Sequence, residues 1–189
     1  MALVKCPICS QREHKENMIQ EDKRYYHVEY CHERWKRDKE ATRIENQQWD
    51  DLYQYIIKLH DIIVLPTGNI TRLKDLRAGF EFKDGQRVRK WNTGPTFELM
   101  LEAYLLAEDS IRWCIANKLD GSRDTRAINY GVSIMIDKLN EAFARKKRRE
   151  QHTEQFERTK ISSEDKNISN EILKNKHNKI DEMDISSFL

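Results

Sequence analysis

The sequence predicts a mainly α-helical fold with a small cysteine-containing module in front of it, on three observations. Three of the four cysteines lie within the first 31 residues. Apolar residues recur with the three- and four-residue spacing of amphipathic helices from Trp49 to Phe143. Beyond Phe143 the chain is polar and has no sustained apolar period, which is typical of exposed helix or of disordered segments.

The length and composition of the chain limit its domain organisation and the kinds of partner that it can bind. Its 189 residues suffice for a small module and one domain of about a hundred residues. Charged residues make up 35% of the chain and apolar residues 38%, which is polar for a single globule. The net charge of +2 excludes no class of partner. Apolar runs such as Ile62–Leu65 are far shorter than the roughly 20 residues of a membrane span, so we expect no membrane contact.

The cysteines indicate a reducing compartment. Lys5 and Cys6 end the first apolar run after four residues, which is too short for the apolar core of a signal peptide, so we expect no signal peptide. Clustered cysteines in a cytoplasmic protein bind metal more often than they pair as disulfides. We therefore expect a cytoplasmic protein, which for a viral chain means the cytoplasm of the host cell.

Four residues near the N-terminus have the spacing of a zinc site. Cys6 and Cys9 form a C-x-x-C knuckle, which lets both thiolates reach one tetrahedral metal. His27 and Cys31 follow after a gap of 17 residues and lie four apart, on one face of a helix that starts there. His32 could replace Cys31 if the helix register slips. The sequence therefore predicts Zn²⁺ held by three cysteines and one histidine.

The predicted site is closed and structural. Four Cys/His ligands complete a tetrahedral shell, and a module this small depends on its metal for much of its folding energy. The segment between the ligand pairs fits a small hairpin with arms at 18–19 and 25–26. The spacing C-x2-C-x17-H-x3-C resembles a treble-clef finger and the first half of a LIM module, which has two residues between its His and Cys. The extra residue leaves the choice between Cys31 and His32 open.

The sequence predicts five successive parts of the chain, from this finger to a polar C-terminal tail. Within the helical domain, Asp84-Gly85 between alternating runs predicts one short β-hairpin near 80–91. Asn69 is the expected N-cap of a short helix at 70–78. Five parts result: a treble-clef-like zinc finger at 1–35, a long connecting helix at 36–48, a helical domain at 49–144, a basic helix extension at 145–160 and a disordered C-terminal tail at 161–189.

No catalytic motif accompanies the zinc site. The sequence has no glycine-rich phosphate loop, no H-E-x-x-H and no G-x-S-x-G. Asp120-x-Ser122-x-Asp124 begins like a calcium loop but lacks its Gly and closing Glu, so helix capping explains it better. Cys114 lies on an apolar helix and is expected in the core. We expect a protein that is not an enzyme and has no small-molecule substrate.

Two basic segments are candidates for contacts with a DNA or RNA backbone, where each cation–phosphate contact releases counterions. One follows the helical domain, although its interleaved glutamates leave a solvated helix end as the alternative. The other surrounds the predicted hairpin, where the order helix, helix, hairpin is that of a winged helix. Arg34, Lys36 and Arg37 beside the finger could extend the same surface. The predicted nucleic-acid-binding residues are Arg72, Lys74, Arg77, Arg87, Arg89, Lys90, Arg145, Lys146, Lys147, Arg148 and Arg149.

The C-terminal tip is a candidate for binding a protein. Ile185, Phe188 and Leu189 follow an acidic stretch, and such tips dock into hydrophobic pockets. The pattern is similar to the peptides that bind sliding clamps, without their leading Gln, and to the acidic tip of single-strand-binding proteins, without their penultimate Pro. We expect it to recruit a replication or transcription protein, such as a sliding clamp. A frayed terminus is the alternative.

The order of these features resembles a known group of proteins. Cys6-Pro7-Ile8-Cys9, Arg24-Tyr25-Tyr26-His27, a long polar helix and Gly131-Val132-Ser133-Ile134 leading into Glu141-Ala142 resemble small zinc-finger proteins of phages and prophages in low-GC Gram-positive bacteria. The resemblance spans about residues 1–150. It implies an accessory role in the host cytoplasm and no defined activity.

We therefore predict a non-enzymatic, phage-type accessory protein of DNA replication or transcription. It would bind nucleic acid, recruit a replication or transcription component through its tail, or do both. The alternative is a protein-interaction factor that modulates a host enzyme without contacting nucleic acid. A third possibility is an assembly protein that oligomerises through a long helix at 28–60.

Overall fold

The protein is described by a computed structural model that covers residues 3–83, 85–119 and 121–181. The chain divides into two compact units, residues 1–139 and 140–189. As predicted, the fold is mainly helical with short strands. The elements in chain order are β1 Leu3–Lys5, β2 Arg12–His14, a 3₁₀ turn Lys15–Asn17, β3 Met18–Glu21, β4 Arg24–His27, α1 Cys31–His60, α2 Thr67–Arg77, β5 Phe80–Lys83, β6 Gln86–Arg89, α3 Phe97–Lys118 and α4 Thr125–Asp181.

The first unit begins with two antiparallel hairpins. The hairpin β3–β4 matches the predicted arms, and its register places Met18 opposite His27. The hairpin β1–β2 is not predicted from the sequence, because three-residue strands show too little alternation to stand out. The cysteine knuckle connects these two strands. At its base the N–H of Cys6 donates a hydrogen bond to the carbonyl of Gln11 at 2.9 Å.

The β3–β4 turn uses two left-handed residues without any glycine. Asp22 has a φ of 48° and Lys23 a φ of 63°, the backbone of a type I′ turn, which suits the twist of a hairpin. The carboxylate of Asp22 accepts a hydrogen bond from the ammonium of Lys39 at 2.7 Å. This contact joins the hairpin tip to α1.

The predicted connecting helix and the first helix of the helical domain form one continuous helix, α1. Its part from residue 36 to residue 44 is exposed on all sides, whereas Leu52, Ile56 and Leu59 are buried. The helix ends at His60, and Asp61 takes the left-handed C-terminal position with a φ of 50°.

The start of α2 differs from the sequence prediction. Its N-cap is Pro66, so the helix begins at Thr67, whereas we expected Asn69 to cap it. Pro66 has the extended backbone that is typical of an N-cap residue, with a φ of −59° and a ψ of 142°. Asn69 instead lies fully buried inside the helix, where its Nδ2 donates to the Oδ1 of Asn129 at 3.0 Å.

The expected hairpin is present as β5–β6 and is held closely against the end of α2. The carbonyl of Gly79 accepts hydrogen bonds from the N–H groups of Lys90 at 2.9 Å and Trp91 at 3.1 Å. Gly94 then passes over the end of α2 so closely that a Cβ atom there would lie 1.8 Å from the carbonyl oxygen of Leu76.

The core of the first unit forms mainly between α1 and α3. Ring contacts pair Trp49 with Phe97 at 5.0 Å and Tyr55 with Tyr104 at 6.2 Å, so the two helices run in the same direction. The apolar stripe at the start of α4, which includes Ile128, Val132 and Met135, is also buried. Cys114 is buried as predicted.

The second unit contains the polar part of α4. The predicted start of the tail at residue 161 falls inside this helix, because no glycine or proline interrupts the chain between residues 145 and 181. The predicted docking residues Ile185, Phe188 and Leu189 lie outside the described residues. In the part of the chain that the structure describes, no helix combines the length and the hydropathy that crossing a membrane requires.

Candidate metal centre

The four predicted ligands lie together in the first unit. Cys6 and Cys9 come from the knuckle between β1 and β2, His27 is the last residue of β4, and Cys31 is the first residue of α1. One donor atom from each side chain lies within 4.8 Å of all the others. Three separate elements therefore converge on one point, and the four residues could hold a metal ion.

The donor set and its dimensions fit a tetrahedral ion bound by thiolates and imidazole. Zn–S bonds of ~2.3 Å place two sulfurs of a tetrahedron about 3.8 Å apart, a separation that falls within the 4.8 Å limit on the distances between the donor atoms here. The Sγ of Cys9 lies 3.3 Å from the Nδ1 of His27. Cys6 and Cys31 are buried, whereas Cys9 lies at the surface of the site.

The surroundings of the site shift the pKa values of two of its thiols in opposite directions. Burial raises the pKa of Cys6, but backbone hydrogen bonds, chiefly from Cys9 and His27, outweigh it and lower that pKa to about 6. Burial, together with the neighbouring sulfurs of Cys9 and Cys6, raises the pKa of Cys31 to about 11. One thiol therefore ionises readily while its neighbour resists. A divalent cation between them would let all three cysteines bind as thiolates.

The geometry distinguishes Cys31 from His32, the two candidates for the fourth ligand. Cys31 lies with the other donors, and the ring of His32 turns away to the carboxylate of Glu21 at 2.6 Å. The same imidazole stacks on Trp35 at 6.0 Å with an interplanar angle of 8°. His32 is only 8% exposed, so this contact ties β3 to the first turn of α1.

The pair formed by His32 and Glu21 is the part of the site that sequence reasoning missed. Eleven residues separate the two side chains, and they belong to a strand and a helix that meet only in the fold. No spacing rule connects such a pair. The contact supports the helix turn that carries Cys31, and supporting partners of this kind orient metal ligands.

Most of the cations predicted around the hairpin have partners inside the protein. Arg72 donates to Asn129 and to Ser133, at 2.9 Å and 3.1 Å. The other pairs join Arg77 to Glu45 at 2.8 Å, Arg87 to Asp75 at 2.6 Å and Lys90 to Glu81 at 2.7 Å.

Lys74 and Arg89, the remaining cations of this group, are exposed. Lys74 lies over the ring of Trp49, and Arg89 donates to the carbonyl of Asn92 at 3.0 Å. The hairpin therefore presents far less available positive charge than its sequence indicates, because the fold places carboxylates next to its cations.

The basic run in the second unit is only partly paired. Arg145 forms an ion pair with Glu141 at 2.7 Å, and Lys146 and Arg149 also interact with other groups. Lys147 and Arg148 are exposed and have no partner among the described side chains. The structure thus places two predicted cations of this run in solvent, next to three that are engaged.

Comparison with known proteins identifies the family of the chain. No curated protein and no solved structure matches it. Residues 6–187 match the family described as SPbeta prophage protein YorH. That span contains all four candidate metal ligands and nearly the whole chain. The chain therefore belongs to the SPbeta prophage protein YorH family.

Proposed function

We propose that the protein is a non-enzymatic accessory factor of phage DNA replication or transcription that acts in the host cytoplasm and binds nucleic acid. In this proposal, residues 3–35 form a treble-clef-like finger stapled by one Zn²⁺ ion. The element order supports it: a cysteine knuckle, a β-hairpin and a helix that carries the last ligand in its first turn. A membership in a prophage family is consistent with such a role.

Zinc is the metal that the donor set favours. Three soft thiolates and one imidazole in a tetrahedral arrangement suit Zn²⁺, and four protein ligands leave no position for a reacting water. Purified protein should contain one zinc ion per chain by elemental analysis. Protein purified without chelator that contains no zinc would contradict the proposal at its first step.

The observation that carries the nucleic-acid part is an excess of unpaired cations on the finger and the first turns of α1. Seven cations there form no ion pair with a described side chain, against four carboxylates that form none: Lys5, Arg12, Lys15, Lys23, Arg24, Lys36 and Arg37, against Glu13, Glu16, Glu29 and Glu33. The surface therefore keeps positive charge that internal ion pairs do not consume. Positive surfaces of this kind bind the phosphate backbone.

A salt titration tests this proposal. Zinc-loaded full-length protein is added to fluorescein-labelled single-stranded and double-stranded DNA, and anisotropy is followed as salt increases. Backbone binding predicts a linear fall of the logarithm of the binding constant with the logarithm of the salt concentration. Absence of binding to either probe at low salt would refute nucleic-acid binding.

A protein-interaction factor is the second candidate, and a specific observation favours it. Several apolar side chains of the first unit lie exposed, including Ile63 at 92% and Trp113 at 57%. The predicted hydrophobic tip at Ile185, Phe188 and Leu189 would serve the same purpose and stays a prediction. Affinity capture from the host, with and without the last eight residues, tests the tip directly. An unchanged set of captured proteins would exclude it.

A further inference from the structure

Two cations face each other at the base of the cysteine knuckle. Lys5 is the last residue of β1, Arg12 is the first residue of β2, and the register places them directly opposite one another. Both side chains are exposed. Neither forms an ion pair or a side-chain hydrogen bond with any residue that the structure describes.

This arrangement is unfavourable for the folded protein alone. Side chains directly opposite in an antiparallel pair have Cβ atoms roughly 5 Å apart, and like charges in such positions destabilise the pair. Glu13 could compensate, but its position points to the opposite face of the strand. Its carboxylate accepts hydrogen bonds from Asn17 at 3.1 Å and from the backbone N–H of His14 at 3.4 Å.

A zinc-loaded metal centre would balance only part of the positive charge of Lys5 and Arg12. Three thiolates, one neutral imidazole and one divalent cation carry a net charge of −1, which a single nearby cation balances. Lys5 and Arg12 together exceed that requirement. Among the described residues of the same region, seven cations form no ion pair, whereas four carboxylates form none. These cations are Lys5, Arg12, Lys15, Lys23, Arg24, Lys36 and Arg37, and the carboxylates are Glu13, Glu16, Glu29 and Glu33.

We infer that Lys5 and Arg12 form a clamp for the backbone phosphates of a nucleic acid. Two long cationic side chains that start from opposed strand positions can close on one phosphate or reach two successive ones. The other cations of the finger that form no ion pair are spread over the 3₁₀ turn, the β3–β4 tip and α1. A ligand with a negative charge at every nucleotide can engage such separated groups at once. This inference rests on the nucleic-acid binding proposed above and assigns it to a surface.

The clamp is tested with the zinc-loaded full chain and the double variant K5Q/R12Q. The probes are a labelled single-stranded oligonucleotide and a labelled duplex, measured by anisotropy over a range of salt. At about 50 mM salt we expect affinity to fall about tenfold. The slope of log K against log salt should become shallower by about 1 to 2, as expected for one or two lost phosphate contacts.

A charge-matched control separates the clamp from net charge. The variant K58Q/R126Q also removes two exposed cations of the first unit, and neither residue belongs to the finger. It should keep the affinity and the salt slope of the unchanged protein. Equal losses in the two double variants would refute the clamp and would leave a general effect of net charge.

Two further measurements, zinc content and melting temperature, distinguish the ways in which the inference can fail. Zinc content and melting temperature of K5Q/R12Q should match the unchanged protein, or melting should rise slightly because a repulsion is removed. Loss of zinc in this variant would overturn the inference, since the two cations would then serve the metal centre. Full DNA affinity in K5Q/R12Q would overturn the clamp alone, whereas no DNA binding by the unchanged protein would refute the proposed function as well.

Discussion

Gly131, near the start of α4, lies directly against the imidazole of His60, the last residue of α1. A Cβ atom at position 131 would be 3.0 Å from the Nε2 of His60 and 3.5 Å from a methyl carbon of Ile111. His60 is 3% exposed, and neither of its ring nitrogens has a partner among the described groups. The missing side chain at position 131 therefore makes room for a buried, neutral imidazole.

This contact predicts that the effect of Gly131→Ala on the free energy of unfolding changes sign when the side chain of His60 is removed. Glycine inside a helix is about 1 kcal/mol less favourable than alanine, so Gly131→Ala would stabilise an uncrowded helix. Here the new methyl group would press on His60, and we expect the free energy of unfolding to fall by about 1 to 2 kcal/mol. In the His60→Ala background the same change should be stabilising. Urea unfolding of the four proteins measures this coupling, and additive effects would contradict the contact.

His60 also predicts a dependence of stability on acid pH. Burial, with a smaller contribution from the charge of Arg112, lowers the pKa of His60 to about 4. The unfolded chain takes up a proton near pH 6.5, which the folded chain does not accept until about pH 4. Stability is therefore unaffected by this residue above pH 6.5 and falls as the pH drops from 6.5 toward 4, by on the order of 2 kcal/mol.

The variant His60→Leu isolates this effect. The free energy of unfolding of both proteins is measured from pH 7.5 to pH 4.5. Below about pH 6.5 the unchanged protein should lose stability relative to the variant, whereas above that pH the difference between them should stay constant. Proton competition at the metal centre affects both proteins alike and cancels in the difference. A difference that stays constant over this range would show that His60 titrates normally in the folded protein.

Gly94 predicts a large loss of stability upon substitution. A Cβ atom there would lie 1.8 Å from the carbonyl oxygen of Leu76 and 2.8 Å from that of Arg77, both at the end of α2. Rigid backbone cannot yield to it, so Gly94→Ala should cost about 3 kcal/mol or more and loosen the β5–β6 hairpin. Gly68, in the first turn of α2, is the matched control because nothing lies within 4 Å of its Cβ position. Gly68→Ala should raise stability by about 0.5 kcal/mol in the same thermal unfolding measurement.

The metal centre predicts opposite outcomes for two neighbouring residues. Cys31→Ser removes a ligand, so we expect most of the zinc to be lost and the finger to unfold. His32→Gln should retain one zinc ion per chain and lose only about 1 kcal/mol of stability, because it removes the contact with Glu21. Elemental analysis and the charge-transfer absorption of the cobalt-substituted proteins measure both outcomes. Zinc loss from the His32 variant, with retention in the Cys31 variant, would reverse the assignment.

The features that the sequence could predict are those carried by local spacing. Cys6 and Cys9 need only a two-residue gap to face one metal, and the apolar period from Trp49 onward marks helices wherever they pack. The turn at Gly85 likewise predicts the β5–β6 hairpin from a few adjacent residues. Each of these signals is carried by residues that are close together along the chain, so the order of residues alone suffices to predict it.

The tertiary structure decided everything that depends on contacts between elements. It turned His32 away from the metal to Glu21, and it paired the hairpin cations, such as Arg87 with Asp75, that the sequence presents as an exposed basic cluster. It also placed Lys5 opposite a second cation. The number and order of the charged residues can be read from the sequence alone. Whether that charge is available to a partner depends on which carboxylate the fold brings within about 3 Å, and distance along the chain does not determine this.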